Sequence, residues 1–357
     1  MISIADPDVS EAAIGDVRAV LESGMIADGP QVRAFEDEFA AFCDTDHAVA
    51  AANGTAALQT ALVAAGIDAG DTVLTTPFSF VASANAARLR GTDVVFADID
   101  PETFNLSPDA VAAVAADHDV DAIVAVHLYG LPADMDALRA VADEHDAILV
   151  EDAAQAHGAA YRGERVGSLG DVASFSFYPT KNMTTAEGGM VTTDDEAIAN
   201  RAERFVNHGR SAAGEHVEVG HNLRLTSVAA AIGRDQLERL AGFNERRRHN
   251  AARLTEGLAD TGVETPTVPE DRRHVHHQYT VRTTDRNRLS AVLEENDVGS
   301  AVYYPRCIHE QPAYDPVPGP YPEAERAARE VLSLPVHPNV TDADVDHVIE
   351  VIQDYAN

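Results

Sequence analysis

Through the first two-thirds of the chain, short β-branched runs alternate with segments whose apolar residues recur at helical spacing. The runs Thr72–Thr76, Val94–Ile99, Ala122–His127, Ile148–Asp152, Val172–Phe177 and Met190–Thr193 predict strands. Between them, Thr55–Ala65, Ala82–Leu89, Pro108–Ala116 and Met135–His145 predict helices, and Ser107 followed by Pro108 forms a helix start. Such alternation points to an α/β fold, a largely parallel sheet with helices on its faces. From Thr226 a longer helical pattern runs past Leu237, Leu240 and Leu254, with Glu245-Arg246-Arg247-Arg248 expected on its solvated side. The remainder reads as a smaller α+β unit: a strand near Gln278–Arg282, a helix near Arg286–Asn296, a Pro/Gly-rich loop from Pro312 to Tyr321 and a last helix from about Asp342 to Tyr355. The expected division is a large domain over 1–240 and a small one over 241–357.

The stretch from Ala48 to Ile67 carries no charge and is long enough to span a bilayer. It is dominated by alanine and broken by Asn53, Gly54, Thr55, Gln59 and Thr60, so it reads as a turn followed by a buried helix. Charge reinforces a soluble reading. The chain holds 59 acidic and 26 basic residues among 357, a net charge of −33, scattered over helix-like segments. That blanket argues against nucleic acid and anionic membranes as partners. It suits a halophilic cytoplasm, where the Debye length falls to about 3 Å at 1 M salt and self-repulsion becomes tolerable. The N-terminus lacks the basic start and apolar run of a signal peptide, so a cytoplasmic location is expected. Cys43 and Cys307 are far apart and form no ligand-spaced cluster, so no metal site is expected.

One lysine, Lys181, stands against twenty-five arginines. Where a positive charge sufficed, arginine was used. A lysine can shed its proton on burial and become a nucleophilic amine, which a guanidinium cannot. Such amines form Schiff bases with carbonyl compounds, pyridoxal phosphate above all. Ligands in open α/β sheets gather beyond the carboxyl ends of strands, and other suitable groups fall there. Asp152 closes a predicted strand and could face a pyridine nitrogen. Gly54 and Thr55 open a helix whose free N–H groups suit a phosphate. Phe80 follows a strand end, where its ring could cover a flat cofactor, and Ser176 lies in the strand leading to Lys181. Taken singly, each has an ordinary structural explanation; together around a sole lysine they describe a cofactor site.

These residues lie in longer motifs: Asn53-Gly54-Thr55-Ala56-Ala57-Leu58, Glu151-Asp152-Ala153-Ala154-Gln155-Ala156-His157-Gly158, Ser174-Phe175-Ser176-Phe177-Tyr178-Pro179-Thr180-Lys181-Asn182, Gly220-His221-Asn222-Leu223-Arg224, Tyr303-Tyr304-Pro305 and Ser333-Leu334-Pro335-Val336-His337-Pro338. With them the chain resembles, nearly end to end, the DegT/DnrJ/EryC1/StrS family of sugar aminotransferases. The resemblance implies a fold-type I transferase, with a mostly parallel seven-stranded sheet in the large domain. It implies that Lys181 holds pyridoxal 5'-phosphate as a Schiff base and serves as general acid–base. Asp152 would pair with the ring nitrogen, Gln155 would lie near the ring hydroxyl, and Phe80 would stack on the ring. Gly54, Thr55 and Ser176 would hold the phosphate, joined by Asn222 from the other subunit of a homodimer. Arg224, His157, Tyr304 and His309 are weaker candidates for substrate contacts. The substrates implied are an amino acid, glutamate foremost, and a nucleotide-linked ketosugar.

Two residues depart from the family pattern: Ala186 where glycine is expected, and Arg210 where many relatives carry glutamine. Rival readings are a sugar dehydratase, whose C3-deoxygenating members carry histidine at the lysine position, a non-catalytic cofactor-binding regulator, and a scaffold whose single lysine is accidental.

Overall fold

The computed structural model describes residues 1–315, 317 and 319–356. Seven strands form the main sheet: β1 (His47–Ala51), β2 (Thr72–Thr75), β3 (Asp93–Phe96), β4 (Ala122–Val126), β5 (Ile148–Asp152), β8 (Val172–Ser176) and β9 (Gly189–Thr193), in the order β1-β9-β8-β5-β4-β2-β3. The pairs from β3 to β8 are parallel; β9 runs antiparallel to both β8 and β1. The two-residue strands β6 (Ala160–Tyr161), β7 (Glu164–Arg165) and β10 (Arg272–Arg273) form a small antiparallel sheet.

Before and between the strands come α1 (Glu11–Ser23), α2 (Pro30–Cys43), α3 (Gly54–Ala64), α4 (Ala82–Arg88), α5 (Pro108–Asp117), α6 (Met135–Glu144) and α7 (Glu196–Val206). Helix α8 (Ser227–Leu258) then runs unbroken for 32 residues, capped by Thr226, whose hydroxyl accepts from Ala229 N at 3.1 Å. The expected division at 240/241 therefore falls inside a continuous helix. Past it, β11 (Tyr279–Arg282) pairs antiparallel with β12 (Val331–Leu334), flanked by α9 (Arg286–Glu295), α10 (Pro322–Glu330) and α11 (Asp342–Ala356). Part of the Pro312–Tyr321 loop, at Pro316 and Pro318, lies outside the described residues. Its first residues form a 3-10 turn, Pro312–Tyr314.

The charge-free stretch needs one correction: it holds strand β1 before the helix, not a turn alone. Short alanine side chains let α3 lie close on the sheet, and all but three of its residues are buried. Its one buried hydroxyl is satisfied, Thr60 Oγ1 donating to Ala56 O at 2.7 Å. Among the described residues no helix is long and apolar enough to cross a membrane.

Alternation along β8 sets up the site. Phe175 and the following Phe177 turn to one face, into a fully buried aromatic cluster with Phe35 and Phe39, ring centroids 4.9–5.9 Å apart. Pairs of this geometry each contribute about 0.5–1.5 kcal/mol beyond burial. Ser174 and Ser176 turn to the opposite face, toward α3. The aromatic cluster thus anchors the strand whose continuation carries Lys181.

Candidate active site

Adjacent carboxylates at the end of β5 point to opposite faces and do different work. Glu151, fully buried, accepts from the backbone N–H groups of Gly167, Leu169 and Gly170 at 3.0, 2.8 and 2.9 Å. It also accepts from His127 Nε2 at 2.9 Å, a tautomer fixed because His127 Nδ1 accepts from Ala133 N at 3.0 Å. Glu151 is a structural tie that gathers the loop before β8. Asp152 faces the other way, its Oδ2 accepting from Ser83 Oγ at 2.7 Å and its Oδ1 from Ala154 N at 3.2 Å. Ser83, from the first turn of α4, is itself 3.0 Å from Ser79 Oγ. These two bonds fix the plane of the Asp152 carboxylate and leave further lone pairs for a ligand.

Lys181 sits on the turn after β8, its N–H bonded to Tyr178 O at 2.8 Å. Its amine is lowered from 10.5 to about 8, chiefly by burial, with the negative charge of Asp152 pulling the other way. The residue is partly exposed and lines a small pocket. The sole lysine is therefore an amine that loses its proton near pH 8, far more readily than an ordinary lysine.

Gln155, three residues past Asp152, ties this strand end to Tyr304. Its Oε1 accepts from Tyr129 N at 2.7 Å and its Nε2 donates to Tyr304 Oη at 3.1 Å. Burial, reinforced by the Asp152 charge, pushes the Tyr304 phenol up. Phe80, half exposed, presents its ring 6.2 Å from that of Tyr304. Opposite, Asn53 caps α3 through Oδ1 to Ala56 N at 2.9 Å, leaving the N–H groups of Gly54 and Thr55 at the helix start without intrahelical partners. A Cβ on Gly54 would lie 2.5 Å from Ser176 Cβ and 2.8 Å from its hydroxyl. Backbone donors and a serine hydroxyl are thus packed as closely as glycine permits, a cradle suited to a phosphate. An aldehyde-binding amine, a carboxylate for a ring nitrogen, a phosphate cradle and an aromatic face are all present, so the residues fit pyridoxal phosphate.

Other expected site residues lie elsewhere. His157 is fully buried, its ring 5.4 and 5.7 Å from those of Phe175 and Phe177, and has no surface to offer a substrate. Burial and the nearby Lys181 charge lower it to about 3, so it stays neutral. His309 faces Glu325 at 3.4 Å and the Tyr321 ring rather than the lysine. Asn222 is exposed, bridged to Asn207. Arg224 donates to Asn207 Oδ1 at 2.7 Å and lines a different pocket of about 460 Å³ with Arg33, Arg204 and Arg210. The carboxylate partner that would make Arg224 an ordinary ion pair is absent among the described residues. Arg210 is exposed at the same rim.

A family model described as the DegT/DnrJ/EryC1/StrS aminotransferase family matches residues 7–353. The chain belongs to this family. The membership carries its activity class, a pyridoxal-phosphate-dependent aminotransferase of fold type I. It is 40% identical over 345 residues to dTDP-3-amino-3,4,6-trideoxy-alpha-D-glucose transaminase of Streptomyces venezuelae, covering 95% of this chain and 91% of that one. It is also 40% identical over 343 residues to a protein of Geobacillus stearothermophilus named pleiotropic regulatory protein, covering 94% and 92%. The crystal structure of S. venezuelae DesV in complex with a ketimine intermediate superposes with a TM-score of 0.93 at 40% identity, covering 97% of this chain and 94% of that one.

Ala186, the departure after the lysine, has φ of 69°. Glycine takes that left-handed conformation without penalty, whereas alanine is disfavoured there by about 1 kcal/mol or more. The departure changes backbone strain without removing a chemical group.

Proposed function

We propose that this aminotransferase moves an amino group from L-glutamate to a nucleotide-linked ketosugar, making an amino sugar. The observation that carries the reading is a single buried lysine amine, lowered to about 8, placed near a carboxylate that two hydrogen bonds hold in one orientation. The S. venezuelae relative, a transaminase named for a dTDP-linked amino sugar, supports the acceptor class. When bound, pyridoxal phosphate supplies an aldehyde carbon and a ring that accepts electrons. Lys181 Nζ would hold the cofactor and, when free, would carry a proton from the donor's α-carbon to the cofactor's aldehyde carbon. Asp152 keeps the ring nitrogen protonated. Gln155 and Tyr304 keep the ring hydroxyl side fixed, and Phe80 covers one ring face. Gly54, Thr55 and Ser176 hold the phosphate, completed by Asn222 across a homodimer interface. The exposed position of Asn222 suits that role. The dispersed acidic residues suit a cytoplasmic enzyme working in concentrated salt, which screens their mutual repulsion.

A regulator without turnover would need no acid–base amine, and this one is poised to act. The test is direct. Purified in high salt, the protein should show a visible band from pyridoxal phosphate joined to Lys181, which glutamate bleaches and borohydride fixes. A band that no amino acid bleaches, and no transfer across a panel of nucleotide-linked ketosugars, would refute the reading.

Two further outcomes are expected. Capture of pyridoxal phosphate by the cofactor-free protein should rise roughly ten-fold between about pH 7 and pH 9 and then level off, because the lysine loses its proton across that range. An ordinary lysine would keep gaining reactivity beyond pH 10, and stopped-flow absorbance separates the two. Gly54→Ala should weaken pyridoxal phosphate binding roughly ten-fold and cost about 1–3 kcal/mol of stability, since the new methyl collides with Ser176. Fluorescence titration and thermal melts read both effects.

A further inference from the structure

Arg247 contradicts both its sequence neighbourhood and ordinary charge pairing. It lies in a run of three arginines on α8, yet is only 5% exposed. Its Nη1 donates to the backbone carbonyls of His276 and His277, both at 3.2 Å. Nε is buried without a hydrogen bond, none is formed by Nη2, and no carboxylate among the described residues lies within 4.0 Å. Burial without a counter-charge lowers even this guanidinium, to about 10. In a chain with 59 acidic residues, the buried arginine has been given none.

The unused Nε–Nη2 edge is the one that offers two parallel N–H donors to a carboxylate. Arg247 and Lys181 line the same pocket of about 30 Å³, with Asn182, Thr180, His337 and the N-terminal segment Ala5–Asp8. That volume holds roughly one small group of carboxylate size, not a sugar nucleotide. Charges around it favour an anion arriving from outside. Asp8 is already paired with Arg239, and Asp6 accepts from Asn339 Nδ2 at 3.0 Å. Burial keeps His157, His277 and His337 below their usual range, so none competes as a cation.

We propose that Arg247, rather than Arg224, receives the carboxylate of the amino-acid donor, holding the donor amine toward Lys181. This rests on the aminotransferase reading, but it can fail independently. Within one subunit Arg224 lines a separate pocket beside Asn222, with its Nη1 bonded to Asn207 Oδ1, so it does not face Lys181 of its own chain.

The experiment titrates the holoenzyme with glutarate, a dicarboxylate lacking the reactive amine, by calorimetry, and measures donor and acceptor half-reactions separately. Arg247→Gln should raise the glutarate Kd and the donor KM roughly 10- to 100-fold while the ketosugar KM stays unchanged. Arg224→Gln should leave the glutarate Kd where it was. Should Arg247→Gln fail to fold, Arg247→Lys decides by the same measurements, since it keeps the charge but loses the paired donors. Wild-type glutarate affinity in the variant, or donor and acceptor KM rising together, would overturn the proposal. If the wild type transfers to no ketosugar, the functional reading fails, and the glutarate titration still judges Arg247.

Discussion

Lys181→Ala should leave a folded protein that transfers no measurable amino group, a loss of roughly 10⁴-fold or more, because anchoring and proton transfer disappear together. Lys181→Arg should be nearly as inactive although it preserves charge. A guanidinium stays protonated across the working pH range, whereas the lysine amine is lowered to about 8. The two variants separate chemistry from electrostatics: restoring a positive charge does not restore a nucleophile. Single-turnover kinetics with glutamate, together with the absence of a borohydride-trapped adduct, measure the effect. Retained turnover in Lys181→Ala would remove the basis of the proposed function.

Asp152→Asn should be the next most damaging change, lowering turnover roughly 10²–10³-fold with little loss of stability. With its oxygen toward Ala154 N, an amide keeps that bond, and its Nδ2 can donate to the Ser83 hydroxyl oxygen, so the side chain stays held by the same two groups that hold the native carboxylate. What it cannot supply is negative charge. Two signs follow from that loss. The ring nitrogen is no longer held protonated, so turnover falls. The attraction that now raises the Lys181 amine also vanishes, so its titration should move below about 8, and capture of the cofactor should reach its plateau at lower pH. A fall in turnover without that displacement would mean the two groups do not act on one another.

Much of this site could be read from local signals. Lys181 stood out by composition, Asp152 by closing an apolar run, and Gly54-Thr55 by opening a helix; each lies where the parallel sheet delivers strand ends. The edges of the strands were legible because β-branched runs are bounded by polar residues, and most agree within one residue or two. Strand β1 was missed because His47–Ala51 is alanine-rich, with the same composition as the helix that follows it. Its strand character comes from pairing with β9, which lies more than 130 residues away. Ser83 and Arg247 were invisible for the same reason. Ser83 matters only because α4 brings it to Asp152, 69 residues on. The run Glu245–Arg248 was expected on the solvated side, but the helical period turns Arg247 inward while Arg246 reaches Asp342. A run of like residues hides which member the helix buries.

The unbroken course of α8 bears on how relatives could be recombined. A join at 240/241, natural by length, would cut a rod of about 48 Å near its middle and separate Arg234, tied to Glu38, from Arg247 further along the same helix. Chimeras that exchange the C-terminal third should instead be spliced at Thr226 or beyond Leu258, so that every transplanted piece brings its own intact backbone ladder.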